Sequence, residues 1–172
     1  MASKSIVQKR ISAGNLNQEQ RILFADLIIQ EIKKRTAQGI DKDGNRFPGY
    51  SDSYKNSFEY KVAGKSSKPN VKLSGDLLGS LEMIDEGVGF VIVGFDPNSE
   101  AGEKAEGNII GSYGQPNGNP SKARNFLGLP ERVLARLREQ AGRGDIIGQV
   151  EESDSAFDAF LQGILRRENG DQ

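Results

Sequence analysis

The sequence predicts an α+β fold, a small antiparallel sheet packed by N-terminal and C-terminal helices, with long loops. Three observations carry that prediction. Apolar residues recur at helical spacing over residues 16–37 and again in the C-terminal third. One β-branched and aromatic run, VGFVIVGF at residues 88–95, follows a Gly-containing turn and reads as a buried strand. The chain also holds 21 Gly in 172 residues, more than the roughly 7% usual in globular proteins, so its loops are long. At this length one core is expected: a single domain over residues 16–172, preceded by a flexible N-terminal arm over residues 1–15.

The arm carries Ile6, Val7 and Ile11 among small and basic residues, a composition expected to stay loose until it meets a partner. A helix then runs from about Leu16 to Ala37. Asn15 or Asn17 can cap it, and Ile22, Ala25, Leu27, Ile28, Ile29 and Ile32 make a broad apolar band. Lys33, Lys34 and Arg35 suit the negative end of its dipole, and Gly39 stops it. Residues 39–70 are turn chemistry and aromatics without a sustained period. Asp43-Gly44 and Pro48-Gly49 signal turns, and Tyr50, Tyr54 and Phe58 recur four apart, as a short helix after a Ser51 cap places them. Residues 64–69 form a basic loop tip.

A short helix capped by Ser74 is expected next, with Leu77, Leu78 and Leu81 on its apolar side. Strands over residues 82–84 and 88–95 flank Asp85-Glu86-Gly87 as a compact hairpin loop. Asn98 or Ser99 caps a short acidic helix within residues 96–106, and residues 107–120 read as Gly/Asn/Pro-rich loop. Pro130 opens a helix through about Gln140 with Val133, Leu134 and Leu137 as its stripe. Ser153 or Asp154 caps a last helix in which Phe157, Phe160, Leu161, Ile164 and Leu165 share one face.

Absences exclude several chemistries. With no His and no Cys, the chain cannot form an ordinary N/S zinc site, a His-activated nucleophile or a disulfide framework. No apolar run reaches the roughly 18–20 residues of a membrane span, and the first ten residues lack a signal-peptide core, so a product of the cytoplasm with no membrane partner is expected. Asp41, Asp43 and Asn45 match the first three ligand positions of a calcium loop, but Arg46 stands where the turn needs Gly and Asp52 where a bidentate Glu is needed. Gly64-Lys65-Ser66 imitates the end of a P-loop, yet Glu59 replaces the earlier glycine. Gly87-x-Gly89 lacks the third glycine of a dinucleotide fingerprint. Asp76, Glu82, Asp85 and Glu86 are acid/base candidates with nothing to fix their separation. No catalytic residue, cofactor or metal ligand is therefore assigned.

Charge is unevenly distributed. Residues 1–75 hold 14 Lys+Arg against 7 Asp+Glu, and residues 76–172 hold 9 against 17, so a net +7 half precedes a net −8 half. Solvated surface explains such blocks, and so does attraction between halves of neighbouring copies. Lys55, Lys61, Lys65, Lys68 and Lys72, interleaved with Tyr54, Phe58 and Tyr60, have the composition of a sequence-independent DNA surface over residues 55–72.

Four pieces, taken in order, carry a family resemblance: GIDKDGNRFPGYSDSY at residues 39–54, VKLSGDLLGSL at 71–81, FVIVGF at 90–95, and KARNFLGL at 122–129 directly before a helix. Together they resemble the tail-completion, or virion-morphogenesis, proteins of the head-tail neck of tailed bacteriophages, over about residues 16–141. The resemblance implies a structural virion protein without an active site, made in the host cytoplasm and assembled as a ring, typically a hexamer. Its neighbours would be portal-side, tail-tube or tail-terminator proteins, with non-specific contact to packaged DNA. It also implies that Arg124, Phe126 and Leu127 anchor the loop ahead of the Pro130 helix. The residues themselves allow a second reading, in which Phe126, Leu127 and Leu129 staple that helix to the sheet. Loops 39–70 and 107–121 hold Gly, Lys and Tyr without a core pattern, which marks Arg46, Tyr50, Tyr54, Lys65, Lys68 and Tyr113, with Arg124, Phe126 and Leu127, as the expected assembly interface.

Overall fold

The computed structural model describes residues 6–62, 77–112 and 118–144. It contains a three-stranded antiparallel sheet with helices, an α+β fold. Strand β1 (Gln8–Ser12) is followed by the long helix α1 (Gln18–Ala37), the short helices α2 (Asp52–Lys55) and α3 (Phe58–Val62), and a 3-10 turn at Leu78–Ser80. Strands β2 (Glu82–Gly87) and β3 (Phe90–Gly94) form a hairpin, and helices α4 (Glu100–Ile110) and α5 (Glu131–Arg143) complete the order. The sheet order is β1-β3-β2, with both outer strands antiparallel to β3.

From Val7 onward the N-terminal segment is packed and paired, which corrects that part of the flexible arm expected over residues 1–15. Val7 and Ile11 are buried, and β1 pairs residue for residue with β3 from Gln8↔Gly94 to Ser12↔Phe90. Gly94 allows this close approach, because a Cβ there would collide with the Val7 carbonyl. Alternation is hidden in the sequence because exposed Lys9 stands between Val7 and Ile11.

Helix α1 forms where its caps require. Asn17 Oδ1 accepts from Gln20 N–H at 2.9 Å while Gln20 Oε1 accepts from Asn17 N–H at 2.9 Å, a reciprocal capping box. At the other end Ile40 N–H donates to Arg35 O and Gly39 N–H to Thr36 O, both at 3.0 Å, with Gly39 at φ 75°. This is the Schellman closure that a left-handed glycine permits. Phe24, Ala25, Ile28 and Ile32 are fully buried against the sheet and α5, whereas Ile22, expected in the band, is exposed. Arg21 bridges Glu86 of β2 at 2.6 Å, and Gln18 donates to the same carboxylate at 2.9 Å, tying the first turns of α1 to the sheet.

That clasp explains a second difference. Asp85-Glu86-Gly87 is strand, not loop, and the reversal is the two-residue Val88-Gly89, with Gly89 at φ 81°. A bulge between Met83 and Asp85 shifts the register and lets Glu86 face α1. Helix α4 starts at the Ser99 cap as expected, but continues past residue 106 to Ile110. Asn108 remains helical because its amide donates to Lys104 O at 2.8 Å, a bond back along the helix that offsets its turn preference. Helix α5 begins after Pro130, runs to Arg143, and buries Val133, Leu134, Leu137 and Ala141. Leu77 and Leu81 are buried and Leu78 half-buried, the apolar side expected, but the described part is a 3-10 turn and not an α-helix; the expected Ser74 cap, basic tip at residues 64–69 and last helix fall outside the described residues. Among the described residues no helix is long and apolar enough to cross a membrane.

Candidate functional site

The most built surface feature arises where two loops meet. The first, residues 39–50, leaves α1 through Gly39 and folds on itself. Asp41 Oδ1 accepts from the N–H groups of Asp43 and Asn45 at 2.9 and 2.8 Å, and Ile40 bridges Arg46. This Asx turn uses the Asp41 carboxylate to order backbone, and among the described residues no group of three or more acidic or His/Cys side chains is placed to hold a metal ion. Phe47, buried at the end of the loop, anchors it in the core, and Tyr50 follows it inward.

The second loop, residues 118–129, is held by the end of α4. Gly111 closes that helix at φ 72°, and a Cβ there would collide with the Asn119 carbonyl. Arg124 N–H donates to Asn108 O at 2.7 Å. The two loops are then stitched together, Lys42 N–H donating to Asn125 O at 2.8 Å.

Over this seam lies a cluster of rings. Tyr50, Tyr54 and Tyr60 pack mutually, with centroids 5.2 to 5.7 Å apart in tilted and edge-on geometries. The Arg124 guanidinium carbon sits 4.9 Å from the Tyr50 ring centroid, within cation-π range, and Arg124 is only 6% exposed. An open cavity of about 450 Å³ is lined by Gly49, Tyr50, Ser51, Tyr54, Ser121, Lys122 and Arg124. Its described lining combines two cations with hydroxyls and aromatic faces, a surface suited to polar and aromatic contacts with another macromolecule.

Of the residues expected at an assembly surface, Tyr50, Tyr54 and Arg124 are brought together here, from positions up to 74 apart in sequence. Arg46 is exposed on the neighbouring turn and does not line the cavity. Lys65, Lys68 and Tyr113 lie outside the described residues. Phe126 and Leu127 correct the expectation: they are 1% and 4% exposed, with Phe126 edge-on to Phe95 at 6.0 Å, so they belong to the core and present no surface. Their burial is the stapling arrangement that the apolar residues before a helix allow.

The spacing of four selects Phe58, but the ring that joins this surface is Tyr60. Asn56 ends α2, and Ser57 Oγ then accepts from Tyr60 N–H at 3.2 Å, starting a new turn. The break rotates the chain so that Tyr60 joins the cluster and Phe58 stays 77% exposed. The Asn56-Ser57 pair was the available signal. Family models, curated proteins and solved structures contain no match to this chain.

Proposed function

We propose that this chain is a structural virion protein of a tailed bacteriophage, the subunit of a ring at the head-tail neck that completes the tail or joins it to the portal complex. One observation carries the reading. Two of the four sequence pieces that bear the family resemblance, residues 39–54 and 122–129, lie far apart in the chain yet fold into one feature through the Lys42–Asn125 backbone bond and the Arg124–Tyr50 stack. A resemblance made of unrelated fragments would not require them to meet. The ring cluster so formed is a contact surface for neighbouring subunits or neck layers, with aromatic and arginine side chains of the kind that dominate interfaces. The role is structural, and no reaction is assigned to it.

Negative-stain imaging of particles from a culture in which the gene is disrupted tests the reading. Filled heads and separate tails are the expected result; intact virions in normal numbers would overturn it.

A second reading has its own observation. Phe58 is 77% exposed and Val62 67% exposed, and exposed Lys55 and Lys61 flank them. An exposed ring among lysines is the chemistry of sequence-independent DNA binding, phosphate neutralisation with base stacking. This reading predicts DNA binding by the purified chain that weakens steeply with salt and is reduced by Phe58→Ala.

A further inference from the structure

The two outer edges of the sheet differ in charge. Strand β1 exposes Lys9 and Arg10, and strand β2 exposes Glu82 and Asp85. Both strands run antiparallel to β3 and therefore parallel to each other. Topology then limits how a second copy could extend the sheet. A symmetric contact sets β1 against β1 or β2 against β2, antiparallel, and places like charges opposite one another, which destabilises cross-strand pairs. A head-to-tail contact sets β2 against the β1 of the next copy, parallel, and places acids beside bases. Only the second arrangement can repeat around a closed ring.

We propose that copies of this chain join edge to edge, β2 of one against β1 of the next, in a heterologous contact that continues one sheet through the assembly. The edge side chains are held for it. Arg10 is stacked over Phe90 with its guanidinium carbon 3.5 Å from the ring centroid, and the Asp85 carboxylate accepts from Glu86 N–H at 2.8 Å. Arg138 already caps the Ser12 carbonyl at 2.8 Å, which confines edge pairing by β1 to Gln8–Ile11. The bulge at Met83/Asp85 and the charges on β2 act against indiscriminate pairing with any exposed strand, so the partner edge must offer opposite charge. The closed ring rests on the neck reading, whereas the edge contact needs only two copies.

The native chain has no cysteine, so disulfide trapping reads the contact without background. Full-length Arg10→Cys and Asp85→Cys chains, whose side chains share the Ile92 face of the sheet, are mixed under oxidation, purified at high concentration and also within particles carrying them. The mixed dimer is expected in severalfold excess over either homodimer, and a chain with both substitutions is expected to give a ladder of cross-linked oligomers. Homodimers that equal the mixed dimer would overturn the proposal. So would cross-linking, in both settings, no greater than that of a Val88→Cys control at the exposed hairpin tip. Charge exchange supplies a second measurement: Arg10→Glu should weaken association, and adding Asp85→Lys should restore it. Failure to restore it, with both chains folded by circular dichroism, contradicts the pairing. Normal virions after gene disruption together with mixed dimers would sink the neck reading alone.

Discussion

The sheet with α1 and α5 and the tyrosine-arginine shelf are built from different materials. The first is held by repetitive burial: Phe24, Ile28, Ile32, Val91, Val93 and Leu137 come from periodic segments whose spacing dictates which face turns inward. The second has little periodicity. Its shape depends on an Asx turn at Asp41, a left-handed glycine at 111, one backbone bond between loops and three mutually packed rings. The difference teaches where a polar and aromatic surface can sit in a small domain: a periodically packed core supports loops whose shape comes from a handful of polar contacts.

The boundary between the two regions falls within three residues, Arg124 on the shelf and Phe126 in the core, and substitution there gives the largest contrast. Phe126→Ala empties the space against Phe95 and is expected to cost about 3–5 kcal/mol in denaturant unfolding. Gly111→Ala forces a Cβ into the Asn119 carbonyl at a positive φ and should cost about 1–3 kcal/mol, with its effect centred on the shelf. The chain has 4 Tyr and no Trp, and three of those tyrosines form the cluster, so near-ultraviolet circular dichroism reports on the shelf directly. A changed tyrosine signal in Gly111→Ala and a retained one in Asn17→Ala would sharpen the division. Asn17→Ala removes the cap of α1 and should cost about 1 kcal/mol.

The smallest effect concerns pH. The hydrogen bond from Arg21 holds the Glu86 carboxyl below the usual carboxylate range, opposed by desolvation and helped by Gln18. A carboxyl whose folded pKa is depressed adds stability above its unfolded pKa and loses it as pH falls through the folded value. Stability measured down an acid titration should therefore decline in part through this clasp, and Glu86→Gln should make that decline shallower.

How far the sequence disclosed the molecule follows the same division. Helix α1 was legible from Asn17 to Gly39 because caps and an apolar band agree. Strand β3 was legible from its β-branched run, but its partner's length was not, since the Arg21–Glu86 clasp draws an acidic segment into the sheet. Strand β1 was not legible because Lys9 interrupts its alternation and its partners on β3 lie 78 to 86 positions away. On the shelf, Tyr50, Tyr54 and Arg124 were legible as residue types in loops, while Tyr60 depended on the restart at Ser57. The burial of Phe126 and Leu127 was legible as an apolar staple ahead of Pro130, while the ring that Phe126 meets, Phe95, is distant and no local pattern supplies it.

Complementation in vitro tests the central claim most directly. Purified full-length chain is added to the lysate of a culture in which the gene is disrupted, and joined particles are counted by electron microscopy. The account predicts that joined virions return with the native chain and that a Tyr54→Ala chain, folded by circular dichroism, returns fewer. Heads and tails that stay separate at every concentration of folded native chain would contradict the account.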